Sequence, residues 1–163
     1  MSQQVMTFSL DEESYGLNIL CVREINHSFE LTQVPLTCDA VVGLINLRGQ
    51  VVTLLDPRVP LGYPPSETVE GKSLIILKTN GELSLVAQAA GLSTHDDAIG
   101  LMVDQIGNVI SCEAHEIAPV PANAGERSGA LMQGVLRQEG ALIGILNVAD
   151  LLKQQEARCL SKP

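Results

Sequence analysis

Catalysis needs groups that converge, and the side chains of this sequence that could do chemistry stand apart from one another. Glu70-Gly71-Lys72-Ser73 has the ending of a phosphate-binding loop. Ser66, however, occupies the place of that motif's first glycine, and Ser73 opens an apolar strand where the motif needs a helix. His27, His95 and His115 lack metal-ligand spacing and read as surface or loop histidines, with His95-Asp96-Asp97 at most an adventitious cation contact. Cys21, Cys38, Cys112 and Cys159 form no Cys-x-x-Cys pair, which argues against a zinc site and against a secreted disulfide framework; they read as reduced core thiols. No serine lies in a Gly-x-Ser-x-Gly turn. What remains is a surface carrying single charges, and one of these, Arg48, is presented at a hairpin tip.

Arg48 is placed by the elements around it. The run Asn46-Leu47-Arg48-Gly49 is flanked on both sides by Val, Ile and Leu, the composition of strands with a covered face, and Gly49 supplies a turn conformation that other residues reach only with strain. The run therefore predicts a hairpin over residues 41–58 that presents a solvated cation beside an apolar surface. Before it, residues 5–10 and 15–20 form a first hairpin across the polar Asp11-Glu12-Glu13-Ser14, and residues 21–25 read as extended. Residues 37–42 are expected to make one helical turn capped by Thr37 or Asp39. Pro57, Pro60, Pro64, Pro65 and Gly62 make an interrupted connection and the natural lobe boundary.

Residues 73–77 are the cleanest strand, followed by the turn signal Asn80-Gly81 and an extended hairpin excursion to residue 98. Residues 99–104 and 108–111 read as a strand pair joined through Gln105-Ile106-Gly107, and 119–128 as a surface loop. A last hairpin turns at Gln138-Glu139-Gly140. Asn147 then caps a helix with Val148, Leu151 and Leu152 on its apolar face, running to about Arg158. Many short strands and one terminal helix give an all-β barrel or sandwich. Thr53-Leu54-Leu55-Asp56 and Gly144-Ile145-Leu146-Asn147 echo one another, a hint of a duplicated small barrel.

The 163 residues are 45% hydrophobic and only 2% aromatic, so the interior is built from Val, Ile, Leu and Ala. The net charge of −9 argues against nucleic acid, whose phosphates are bound mainly through Lys and Arg, and suits basic or mixed partners. No basic leader precedes a long apolar segment, and no run approaches the ~18 apolar residues of a membrane span. A soluble, cytoplasmic protein without direct membrane insertion is expected.

Four blocks carry a family likeness: Phe8-Ser9-Leu10 through Tyr15-Gly16-Leu17 to Val22-Arg23-Glu24-Ile25; Gly43-Leu44-Ile45-Asn46-Leu47-Arg48-Gly49; Ile99-Gly100-Leu101-Met102-Val103-Asp104; and Gly134 through Leu152. In this order and spacing the chain resembles the CheW family of chemotaxis coupling proteins over nearly its whole length. The resemblance implies two packed SH3-like five-stranded β-barrels with a short C-terminal helix, and chain exchange that places the first strand in the second lobe. It implies a single domain over 1–155, a first lobe at 14–70, a second at 71–150 plus the N-terminal strand, and a tail at 156–163. It implies neither catalysis nor cofactor nor metal. The partners it implies are the cytoplasmic tip of chemoreceptors (methyl-accepting chemotaxis proteins) and the regulatory domain of the histidine kinase CheA, within receptor arrays at the membrane.

Carried over by position, the receptor-facing groove comprises Val22, Glu24, Gly43, Asn46 and Arg48, and the kinase interface Leu74, Gly100, Ile106 and Gly134. Two departures stand out. Pro57 replaces the usual aliphatic residue before Arg58, and residues 80–98 are about a dozen longer than typical hairpin loops. The alternatives are a scaffold of the same family serving surface motility or second-messenger control, and a small-ligand-binding β-barrel suggested by Gly71-Lys72-Ser73.

Overall fold

The computed structural model describes residues 2–33, 38–121 and 129–160. Its strands are β1 (Ser2–Leu10), β2 (Glu13–Asn18), β3 (Val22–Asn26), β4 (Val41–Leu47), β5 (Gln50–Leu55), β6 (Ser73–Leu77), β7 (Ile99–Val103), β8 (Gln105–Glu113), β9 (Ile117–Ala118), β10 (Met132–Gln138) and β11 (Ala141–Leu146). A short helix α1 (Leu85–Ala89) and a terminal helix α2 (Val148–Leu160) complete it. The strands form two sheets, ordered β3-β6-β7-β5-β4 and β8-β1-β2-β11-β10-β9.

The two sheets share one plan. Each holds a single parallel pair, β5 with β7 and β11 with β2, while every other pair is antiparallel. Leu54 lies opposite Gly100 in one, and Ile145 opposite Gly16 in the other. The hairpins β4–β5 and β10–β11 each carry a register shift, one before Gly43 and one before Gly134. Even the sixth strand β9 has a counterpart, because Thr32 bridges to Leu44 at the matching edge. The echo between residues 53–56 and 144–147 is therefore structural: each strand leads into a side chain that caps the next turn of the chain. Asp56 Oδ1 accepts from the Arg58 amide at 3.0 Å, and Asn147 Oδ1 from the Asp150 amide at 3.1 Å.

Sheet membership divides the chain elsewhere than the expected lobes. Both strands of the first hairpin join the second sheet, and β6 and β7 join the first. The expected pairing of residues 99–104 with 108–111 does not occur. Strand β7 is buried at every position and already has β5 and β6 as neighbours, so no edge is left for β8. Asp104 alone separates the two strands, and there the chain crosses from one sheet to the other.

Three apolar clusters result. Leu74 and Ile76 point into the first sheet's own core with Ile45, Val52 and Leu54, while Ile75 and Leu77 point into a core shared by both sheets with Phe8, Tyr15, Leu17 and Leu101. Alternation along a strand buried on both faces explains why all five residues of β6 are covered. Each such aliphatic side chain contributes about 2 kcal/mol by burial. The second sheet encloses Val5, Leu136, Ile143 and Ile145. Helix α2 covers the shared core with Val148, Leu151 and Leu152, as its spacing predicts, and continues to Leu160.

A buried polar hub joins the sheets at the same place. Arg58, on the connection after β5, donates to Asp104 and to Asp11 of the β1–β2 turn, and Lys72 Nζ donates to Asp104 Oδ1 at 2.6 Å. Burial works against the charge on Asp104, but the Lys72 and Arg58 hydrogen bonds outweigh it and hold the carboxyl below its ordinary range. Asp56 goes the other way: burial pushes its carboxyl up despite two amide hydrogen bonds, from Ser66 and Arg58.

Other local expectations divide. The helical turn expected at 37–42 falls partly outside the described residues, and within them Asp39 and Ala40 make a turn leading straight into β4. Most of the 119–128 loop also lies outside them. The excursion after β6 is not an extended hairpin: Ser84 Oγ accepts from the Ala87 amide at 3.1 Å and starts α1, while Asn80 Oδ1 takes the Thr94 amide at 2.7 Å and closes the base. Cys21 and Cys112 are free, buried thiols, but Cys38 is disulfide-bonded, which corrects the reading of reduced thiols throughout.

Candidate functional site

The turn at the tip of β4–β5 is built from Arg48 and Gly49, both with positive φ, 52° and 86°. Two such residues in succession match the right-handed twist of the flanking strands. Glycine adopts the conformation freely, whereas Arg48 adopts it at a cost that its surroundings must offset. Asn46 helps, because its Oδ1 accepts the Gly49 amide at 2.9 Å and fixes the turn. The guanidinium is thereby thrown outward, 63% exposed, and its Nη2 donates to Glu24 Oε2 at 2.5 Å.

Glu24 lies on β3, at the opposite end of the sheet from β4. An ion pair between the two ends means that the sheet curls until its edges face, closing a small barrel. Beside it, Arg23 Nη1 donates to Gln50 Oε1 at 2.6 Å across the same seam, and Arg23 Nε lies 3.9 Å from Glu82 Oε2. The second carboxylate oxygen of Glu24, Oε1, is buried without a hydrogen-bond partner among the described residues. A buried acceptor left unpaired is costly, so this oxygen is a local expense that the Arg48 bond to the other oxygen must help offset.

Of the five residues assigned to a receptor-facing groove, the structure joins Glu24 and Arg48 in an ion pair and sets Asn46 in the same turn as Arg48, bonded to the Gly49 amide. Val22 is half-buried against the shared core. Gly43 is buried, and a Cβ there would lie 2.6 Å from the Thr32 carbonyl oxygen, so its role is to let an adjoining strand approach. Sequence reasoning missed Arg23, Gln50 and the exposed Val51, which lies across the ladder from Asn46. The Arg48-Gly49 turn was the signal for the last two, since a two-residue turn fixes the register of the return strand.

The four residues assigned to a kinase interface do not share a surface. Leu74 and Gly100 are buried inside the first sheet, Gly100 pressed between Leu54 and Ile76, which corrects their assignment to a flat surface of the second lobe. An unbroken apolar strand signals burial on both faces rather than a partner face. Ile106 is half-buried on the edge strand β8, and Gly134 is buried beneath β9, where a Cβ would lie 2.5 Å from the Ala118 carbonyl oxygen. Lys72 and Ser73 point to Asp104 and His27, so the fragment of a phosphate motif serves the hub and the core. Among the described residues no cluster of three or more His, Cys, Asp or Glu could hold a metal ion, and no helix is long and apolar enough to cross a membrane.

Known proteins are similar to this chain over nearly its whole length. The chemotaxis protein CheW of Rhizobium meliloti is 24% identical over 154 residues, spanning 94% of this chain and 90% of that protein. That of Klebsiella aerogenes is 26% identical over 156 residues, spanning 96% and 85%. Among solved structures, the scaffolding protein TtCheW from Thermoanaerobacter tengcongensis matches with a TM-score of 0.73 at 26% identity, covering 93% of this chain and 92% of that one. A family model described as a CheW-like domain matches residues 4–156, and with its paired sheets, exchanged N-terminal strands and C-terminal helix the chain belongs to the CheW-like domain family.

Proposed function

We propose that the chain is a noncatalytic adaptor that couples the cytoplasmic tips of chemoreceptors to the histidine kinase CheA within membrane-associated arrays. The observation that carries this reading is the seam. Arg48 stands largely exposed at a turn held rigid by Asn46, and its partner Glu24 keeps one buried oxygen unpaired. A receptor helix laid along Val22, Glu24, Asn46 and Arg48 would bury apolar surface on Val51 and offer a carboxylate to Arg48. Rigid groups of this kind hold specificity better than mobile ones, because little order is lost on binding.

The kinase contact is assigned to the second sheet around Ile106. There β8 runs nine residues along the sheet's edge, and Gly134 shapes the strand at the other side. An edge strand offers unpaired backbone groups to another sheet. Two contacts on two sheets joined by one buried hub would allow a displacement at one interface to bias the other, which is the requirement for conformational coupling.

Reconstitution tests the reading. The chain, a soluble receptor fragment and CheA are mixed and cosedimented. The expected result is a complex that holds all three only when this chain is present. Sedimentation of receptor and kinase without it, or its failure to enter with either partner, would overturn the assignment.

A further inference from the structure

Helix α2 is held by different means along its length. It leaves the second sheet directly after β11, and Val148, Leu151 and Leu152 anchor its first half in the core shared by both sheets. Beyond Leu152 that anchor ends. Lys153, Gln154, Glu156 and Ala157 are exposed, and of residues 153–157 only Gln155 is buried. Glu156 Oε1 lies 3.9 Å from His95 Nε2, but it is 62% exposed, and an ion pair so long and so open to water adds little. A stretch of helix without an apolar face is marginal in water, so another contact must hold it.

That contact is Cys38. Gln155 Nε2 stands 3.2 Å from Cys38 Sγ, although the two residues are 117 positions apart. Cys38 is itself fixed at the entrance of β4: its carbonyl oxygen accepts the Val41 amide at 3.1 Å, and the Ala40 carbonyl oxygen accepts the Asp56 amide at 2.7 Å. The sulfur therefore sits where the far end of a helix rooted in the second sheet reaches the first.

Cys38 is disulfide-bonded, and elimination names its partner. The chain has four cysteines; Cys21 and Cys112 are free, which leaves Cys159. Backbone spacing agrees, because position 159 falls within α2 four residues after Gln155, about one turn further along the same face. The two free thiols are poor competitors. Both are buried, and burial pushes each thiol up from its ordinary value, away from the thiolate that disulfide exchange requires.

We propose that Cys38 and Cys159 form a redox-sensitive clamp: the closed disulfide straps the end of α2 to the entrance of β4, and its reduction frees that end alone. Both sheets and the apolar anchor at residues 148–152 are complete without the bond, so opening it leaves the fold in place. Closure needs an oxidant, and a small-molecule disulfide such as oxidised glutathione supplies it. One cysteine thiolate attacks that disulfide and releases a first thiol, and the second cysteine attacks the mixed disulfide and releases another. The S–S bond of the oxidant is broken as the protein's own forms, and the two protons leave on the two released thiols. This does not rest on the adaptor reading, because neither Arg48 nor β8 takes part.

The full-length protein is equilibrated with oxidised glutathione or with a phosphine reductant, its free thiols are blocked, and the two forms are compared by disulfide peptide mapping and amide hydrogen exchange. A linked peptide joining Cys38 to Cys159 is expected in the oxidised form only. Exchange at residues 154–160 is expected to be at least about tenfold faster after reduction, while residues 149–152 change by less than about twofold. Cys159→Ser is expected to exchange like the reduced protein in both buffers, and Cys112→Ala to keep the full redox response. A peptide linking Cys38 to another cysteine, a disulfide between two chains, or a Cys38–Cys159 link that survives the reductant would overturn the proposal. So would equal exchange of the helix end in the two forms, since the bond would then hold nothing that packing does not.

Discussion

The hairpins β4–β5 and β10–β11 occupy equivalent places in the two sheets, yet only one of them makes a charged seam. Both turn on a non-glycine residue with positive φ followed by glycine, Arg48-Gly49 and Glu139-Gly140. Both carry a buried glycine where a neighbouring strand crosses close, Gly43 and Gly134. Matching the ladders residue by residue through Gly100 and Gly16 sets Ile76 against Thr7, and so sets Glu24 against Asn108 on the edge strand. Arg48 with Glu24 in one sheet thus becomes Glu139 with Asn108 in the other. The backbone plan is kept, and the chemistry at its tip is changed. A feature present in both copies is explained by folding alone, and a feature present in one copy is where function is to be sought.

The largest effects should be the shared ones. Gly43→Ala and Gly134→Ala each force a Cβ to within 2.6 Å and 2.5 Å of a backbone carbonyl oxygen, which cannot move aside as a side-chain end can. Each should cost about 3 kcal/mol in urea unfolding, and by similar amounts. A large loss at one and none at the other would break the equivalence of the sheets.

Arg58→Met comes next. It leaves Asp104 with Lys72 alone and takes the nearest cation from the buried Asp56, and a loss of about 2 kcal/mol is expected, below the full cost of breaking a buried pair because Lys72 remains and Asp11 is half exposed. The hub also sets an acid limit. Asp104 is held below the ordinary carboxylate value of 3.8, so its stabilisation is complete above that value and is lost as pH falls through the depressed one. Asp56, raised by burial, has the opposite sign: its contribution to stability is present below 3.8 and is lost as pH rises through the raised value. The gap in urea midpoint between wild type and Asp104→Asn should therefore shrink below pH 3.8. A constant gap would show that the carboxylate's charge is not what the hub uses.

The smallest effects belong to the seams. Arg48→Glu should lower stability by about 1 kcal/mol, since Arg48 is largely in water but the mostly covered Glu24 would then face a second carboxylate. Building the missing pair in the second sheet with Glu139→Arg and Asn108→Glu should stabilise by no more than that. A gain of several kcal/mol there would mean that the first seam is mainly a structural clamp.

Much of this was legible because hairpin chemistry is local. The Arg48-Gly49 and Glu139-Gly140 turns, the β6 run and the Asn147 cap each announce themselves within a few residues. Glu24 with Arg48 needed the family resemblance, because closing a sheet on itself is a long-range event that no spacing encodes. The hub was missed for the same reason: Arg58 lies in a proline-rich stretch that reads as exposed connection, and its partners Asp11 and Asp104 are distant in the chain. Strand β7 misled because a short gap after a strand reads as a hairpin, whereas burial of both its faces had already assigned its neighbours. Position alone suggests a partner surface at Leu74 and Gly100, although five consecutive covered residues in β6 point inward.

Whether Arg48 reads the receptor is decided by measuring receptor and kinase affinity separately, for wild type, Arg48→Glu and the exchanged pair Glu24→Arg with Arg48→Glu. Arg48→Glu is expected to lower receptor affinity at least about tenfold, restoring the ion pair in reverse is expected not to recover it, and CheA affinity should be unchanged throughout. Full recovery in the exchanged pair would show that the seam needs only its internal bond and that Arg48 does not read the receptor. An equal loss for kinase and receptor would contradict the division of the two contacts between the two sheets.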